Sequence, residues 1–274
     1  MNNNPLRQYF RRPAVYFKLP SGGKDYAPGL IDMPESGELP VFPMTAIDEI
    51  TTRTPDALFN GTALAELVKS CIPAISDPWQ ISSNDMDAIL IAIKAASTGD
   101  SMDIDTTCPS CEESNRYAVN LIPILNTLKP GDYDTPMQIG DLIIKFKPLK
   151  YKEMNEAALA QFDLQRVFVS LENIDDEDER NRISKEALEK ITMLTMELLS
   201  KTIEYIDTPG VRVDEQEFIL DFLKHCDRNV FIELRDYNSK LKEATEIKPL
   251  NIKCAGCGHE YEQAFTLSPV DFFE

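Results

Sequence analysis

The chain has 274 residues, 43% of them apolar, enough to bury the core of one large domain or two modest ones. Its net charge of −18 argues against general nucleic-acid binding, which needs a basic face. No apolar run nears the roughly 18 residues a membrane span requires, and Met1–Arg7 lacks the apolar stretch of a signal peptide, so a reducing cytoplasm is expected.

Residues 1–24 carry Arg7, Arg11, Arg12, Lys18 and Lys24 and no acidic residue before the pair of Lys24 and Asp25. With Tyr9, Phe10, Tyr16 and Phe17 they form a basic, aromatic arm on an acidic body, a composition suited to docking. Arg7, Arg11, Arg12, Tyr16 and Phe17 are the candidate partner-binding residues. The arm extends through residue 43, where closely spaced Pro and Gly disfavour helix. Strands are expected at 14–19 and 39–42, the second held to a sheet edge by Pro40.

A helical segment follows over 44–100. Thr45 caps 46–52 with Asp48 in its first turn, Asp56 opens a turn closing at Asn60-Gly61, and Thr62 caps 63–71. A third helix, capped by Ser82, Ser83 or Asn84 and stopped by Gly99, presents Met86, Ile89, Leu90 and Ile93 at helical spacing. Past residue 130, Met137–Pro148 reads as a hairpin turning at Gly140-Asp141. Four helices are then predicted over 151–171, 184–205, 214–225 and 227–244, with the acidic run Asp175–Glu179 as a solvated loop or a dock for a basic segment.

Two Cys-x-x-Cys pairs bracket this insertion. Cys108/Cys111 and Cys254/Cys257 lie 146 residues apart, and their surroundings repeat at that offset, with Leu121 and Pro123 recurring as Leu267 and Pro269. Each copy reads as strand, thiol-bearing turn and returning strand. Four sulfurs make the tetrahedral shell that Zn²⁺ prefers, and a single iron would accept the same set. Two disulfides would need an oxidising compartment. Four protein ligands leave no open position for substrate, so the expected zinc is structural. His259 follows the second pair as a surface residue, and Cys71 and Cys226 read as buried free thiols. The domains expected are therefore an arm (1–43), a helical segment (44–100), a split zinc ribbon (101–130 and 246–274) and a hairpin-plus-helix insertion (131–245), an α+β protein.

No catalytic pattern stands out. His225 and His259 lie in no metal-protease motif, and no nucleophile elbow, phosphate loop or dinucleotide fingerprint is present. The alternative to a non-enzymatic assembly protein is a cytoplasmic zinc-ribbon adaptor for nucleic acid or another protein. Glu112, Glu113, Glu260 and Glu262 beside the sulfurs weigh against nucleic acid.

Several segments together carry a resemblance. They are Leu19–Tyr26, Val41–Glu49 with Thr54–Gly61, Cys71–Pro73 with Ile75–Pro78, and Asp85–Ile93 followed by Cys108–Cys111. With the second Cys pair they resemble the baseplate hub proteins of T-even-like contractile-tailed phages. The resemblance implies a non-enzymatic hub component or hub-assembly chaperone. It implies other hub or tail proteins as partners, oligomeric assembly, and location in the virion tail or, during assembly, the host cytoplasm.

Overall fold

The structure is a computed structural model that describes residues 4–24, 26–52, 54, 57, 59–171, 174 and 176–265. Asp25, Asp56, Asp175, Leu267 and Pro269, singled out above, lie outside these. The chain forms two compact units, residues 1–130 with 245–274, and residues 131–244. Helices and strands mix in both, as an α+β class requires.

In the first unit, β1 (Val15–Phe17) pairs antiparallel with β2 (Leu39–Val41), placing Val15 opposite Val41 and Phe17 opposite Leu39. Phe17, Leu39 and Val41 turn inward and are buried. Pro40, which can donate nothing to a ladder, sits in a two-stranded sheet where that costs least. Helix α1 (Ala46–Thr52) starts at a capping box. The Thr45 N–H and hydroxyl donate to the Asp48 carboxylate at 2.7 and 2.8 Å, and the Asp48 N–H returns to the Thr45 hydroxyl at 3.2 Å. Helix α2 (Thr62–Cys71) is capped differently from the expectation: Thr62 is its first residue, Gly61 takes the cap position at φ 76, and Asn60 Oδ1 accepts the Thr62 N–H at 3.0 Å.

Helix α3 (Ser83–Thr98) is the spine of this unit. Ser82 caps it and Gly99 ends it at φ 95, a conformation that strains any side chain. Its buried residues surround the axis: Met86, Ala88, Ile89, Leu90, Ile91, Ala92, Ile93 and Ala95. A helix buried on more than one face belongs to the interior; the one-sided stripe read from the sequence is too narrow because small Ala88, Ala92 and Ala95 form a second buried face opposite Met86, Ile89, Leu90 and Ile93.

The N-terminal segment is fastened to this unit by polar anchors. The Arg11 guanidinium donates to the carbonyls of Pro43 and Ser70 at 2.6 and 2.7 Å, and meets the Asp48 carboxylate at 3.3 Å. Farther on, the buried Asp85 carboxylate accepts the Ser21 N–H at 2.9 Å, the Ser21 hydroxyl, and the Tyr26 hydroxyl at 2.6 Å. Burial, with the Asp85 charge beside it, pushes Tyr26 well above an ordinary phenol. Between the anchors, Phe17 and Leu19 are 4% and 3% exposed.

The second unit holds a four-stranded antiparallel sheet, ordered β5 (Met137–Ile139), β6 (Leu142–Phe146), β7 (Ile203–Asp207) and β8 (Arg212–Val213). The hairpin turning at Gly140-Asp141 is β5–β6. Sequence reading missed β7 and β8, running a helix through Tyr205. That helix, α6 (Glu177–Lys201), instead stops at Thr202, and Ile144 pairs with Ile206 across β6 and β7. It also starts earlier than expected. Asp176 accepts the N–H groups of Asp178 and Glu179 at 2.9 and 3.2 Å, so Glu177–Glu179 form a first turn complementing the helix dipole rather than a loop. Helix α5 (Tyr151–Leu171) runs back along α6. Helices α7 (Gln216–His225) and α8 (Arg228–Glu243) cover the sheet, and Ile144, Phe146, Ile203, Ile206, Ile219, Leu223 and Leu234 fill the core. No helix among the described residues is long and apolar enough to cross a membrane.

Candidate metal centre

Two hairpins in the first unit carry the cysteines. Strands β3 (Ser101–Thr107) and β4 (Ser114–Asn120) pair along their full length, and β9 (Leu250–Lys253) pairs with β10 (Glu260–Gln263). The returning strand β4 ends at Asn120, and the chain turns helical. Asn120 accepts the Ile122 N–H at 3.1 Å and caps a short helix α4 (Leu121–Thr127), whose first turn tolerates Pro123.

The turns are the same turn used twice. The Cys108 N–H donates to the Glu113 carbonyl at 3.0 Å and the Glu112 N–H to the Cys108 carbonyl at 2.9 Å. In the second hairpin, Cys254 bonds the His259 carbonyl at 2.8 Å and Gly258 bonds the Cys254 carbonyl at 3.0 Å. Each turn requires a positive φ just after its second cysteine, supplied by Glu112 at 59° and Gly258 at 73°. Glycine takes that conformation without strain and glutamate does not. Glu112→Gly should therefore stabilise the protein by up to about 1 kcal/mol, and Gly258→Ala should cost about 1–2 kcal/mol. Denaturant melts of both variants check the two signs together.

The four sulfurs lie within 4.8 Å of one another. The closest pairs, Cys108–Cys257 at 3.7 Å and Cys111–Cys254 at 3.6 Å, exchange under the offset that relates the hairpins. A tetrahedral ion with metal–sulfur bonds of about 2.3 Å needs sulfur–sulfur edges of about 3.8 Å, so the donor set fits such an ion. Cys108 and Cys254 are buried, while Cys111 and Cys257 face solvent. Backbone N–H groups, that of Cys257 foremost and that of Gly256 with it, overcome burial and pull Cys254 down to about 6. Cys111 takes an N–H bond from Glu113, yet hydrogen bonding to Cys257, burial and the other sulfurs push it up to about 12. Four clustered sulfurs cannot all carry charge alone; a cation that displaces their protons resolves the conflict.

Residues that sequence reading did not single out lock the hairpins together. The Thr106 hydroxyl donates to Gln263 Oε1 at 2.6 Å, the Tyr117 hydroxyl to the Lys253 carbonyl at 2.8 Å, and Asn115 Nδ2 to Cys254 Sγ at 3.5 Å. Polar residues alternating along otherwise exposed strands were the available signal. His259 stays outside the sulfur cluster, stacked on Tyr261 with ring centroids 6.2 Å apart. Cys71 is buried, and burial pushes its thiol up to about 12; Cys226 is only half-buried. Of the five arm residues, Arg11 and Phe17 are engaged inside their own unit, while Arg7, Arg12 and Tyr16 are exposed.

A family model described as T4 bacteriophage base plate protein matches residues 17–274, a span that includes both hairpins and the whole insertion. Searches of curated proteins and of solved structures returned no match.

Proposed function

The chain belongs to the T4 bacteriophage base plate protein family, and on that premise we propose that it serves the phage tail without catalysis, as a baseplate hub component or hub-assembly chaperone. The non-enzymatic reading is supported by the family, and a structural rather than catalytic metal by the cluster of four sulfurs within 4.8 Å of one another. Cys108, Cys111, Cys254 and Cys257 would hold Zn²⁺ in a split zinc ribbon, with four protein ligands and no position left for water or substrate. Such an ion ties residue 108 to residue 254 and thereby fixes both ends of the insertion. Other hub or tail proteins are the partners, and oligomeric assembly in the virion tail, or in the host cytoplasm before it, is the setting.

The alternative of a ribbon adaptor for nucleic acid finds no support around the sulfurs. Glu112, Glu113, Glu260 and Glu262 are exposed, while Arg116 and Lys253 are paired with Asp105 and Glu260 at 2.8 and 3.6 Å. Phosphates would meet net negative charge there. Mass spectrometry of purified virions, set against pull-downs from infected cells, tests the reading. Presence in virions identifies a hub component; absence there with capture of hub precursors identifies a chaperone. Absence from both, or peptidoglycan hydrolysis by the purified protein, overturns the proposal.

A further inference from the structure

In the second unit, α5 and α6 enclose a groove of about 670 Å³. Leu164, Val167, Met193 and Leu194 line its floor. Its rim carries Asp163, Glu186, Glu189 and Glu197 against the single cation Lys190. Among the described residues, two rim carboxylates are held by exposed same-helix pairs, Arg182–Glu186 at 2.9 Å and Lys185–Glu189 at 4.0 Å. Pairs of that kind contribute little and exchange partners cheaply.

The opposite chemistry stands at the N-terminus of the first unit. Residues Pro5–Tyr9 form a 3-10 turn, fixed by the Asn4 side chain accepting the Leu6 N–H at 2.9 Å. In such a helix residues three apart eclipse, so Leu6 and Tyr9 share a face, with Phe10 beside it. These side chains are 60%, 77% and 57% exposed, uncovered by their own chain. Arg7 and Arg12 flank them, and the segment contains no carboxylate. Arg11 pins its base to Pro43 and Ser70, so the segment is presented rather than loose.

We propose that the Leu6–Arg12 segment of one copy docks in the α5–α6 groove of a second copy, its apolar face on the groove floor and Arg7 and Arg12 on the acidic rim. The match rests on charge complementarity together with apolar surface on both sides. Segment and groove are different surfaces, so the contact is head-to-tail and propagates into a ring or a filament. The proposal concerns the purified chain alone and stands apart from the tail role proposed above.

Sedimentation velocity of the full chain tests it. Mass should rise with protein concentration and fall with added salt, which screens charge pairs at a rim. Arg7→Glu with Arg12→Glu, or Glu186→Lys with Glu189→Lys, should each weaken association roughly tenfold. All four substitutions in one chain should restore it. The substituted side chains are exposed, and an unchanged melt confirms that each variant is folded. A photo-crosslinker at position 10, in mixed ¹⁵N-labelled and unlabelled protein, should join the two isotopes through residues 160–197. A monomer at every concentration, cross-links confined to one chain, or a four-fold variant no better than either double variant overturns the proposal.

Discussion

Replacing Cys108 or Cys257 with serine should abolish binding of the zinc proposed at the four cysteines and destabilise the first unit by several kcal/mol. The hairpins that carry the sulfurs are two-stranded, and an isolated two-stranded hairpin is marginal in water. Few apolar groups support them: Ile252 and Phe265 are buried, but β3 and β4 alternate exposed and half-buried residues for most of their length. Metal ligation is therefore expected to supply much of what holds them. It also ties together positions 146 residues apart, and a cross-link closing a loop of that length removes roughly 4–5 kcal/mol of unfolded-chain entropy on the disulfide analogy. Binding free energy at a structural zinc is folding free energy, about 10–16 kcal/mol in small zinc peptides. Metal analysis and thermal melts read the effect. The wild-type protein should contain about one zinc and be colourless, a red protein indicating iron instead. A metal-free serine variant with the wild-type melting temperature would remove the structural role. Acid should mimic the substitution. Protons compete with the ion for thiolate sulfur, so metal is retained at neutral pH and lost as pH falls.

The clustering of the four cysteines was legible because each pair carries a local signal. Two residues separate the cysteines in each pair, and the surrounding pattern repeats, so spacing alone brought four donors together on paper. Caps were legible for the same reason. Thr45 with Asp48, Ser82 and Gly99 each act within a few residues of themselves. What stayed hidden depends on distant partners. Ile203–Asp207 continues the apolar rhythm of α6 and becomes a strand only because β6, about 60 residues upstream, offers its edge. The Pro and Gly of residues 13–43 announce extended chain but carry no information about where it packs. The burial of Phe17 against the unit built around α3 is a tertiary fact with no sequence period behind it.

That burial adds a structural role to residues 1–24, which composition marks as a basic, aromatic arm suited to docking. Their deletion should unfold or severely loosen the first unit. Phe17 is 4% exposed and Leu19 3%, and removing a buried Phe or Leu side chain costs about 3–5 or 2–5 kcal/mol respectively. Losing β1 also leaves Leu39 and Val41 of β2 without a partner strand. The polar anchors add to the damage. Without Ser21 the buried Asp85 carboxylate loses two of its donors, and an under-satisfied buried charge is strongly destabilising. Without Arg11, the carbonyls of Pro43 and Ser70 and the Asp48 carboxylate lose their shared cation. A graded series separates these contributions. Deleting residues 1–10 should leave the melt nearly unchanged, because every described side chain in that stretch is exposed. Arg11→Ala should lower stability modestly and Phe17→Ala by about 3–5 kcal/mol. Acid should also weaken the Arg11 anchor. Burial alone would raise Asp48, but bonds from Thr45 and Ser70 and the Arg11 charge hold its carboxyl below the usual range. A depressed carboxylate contributes stability above its unfolded pKa and loses it as pH falls through the folded one, so the contribution of Arg11 should fade only in acid. A chain lacking residues 1–24 that keeps its metal and melts like the full protein would return the segment to the status of a free arm.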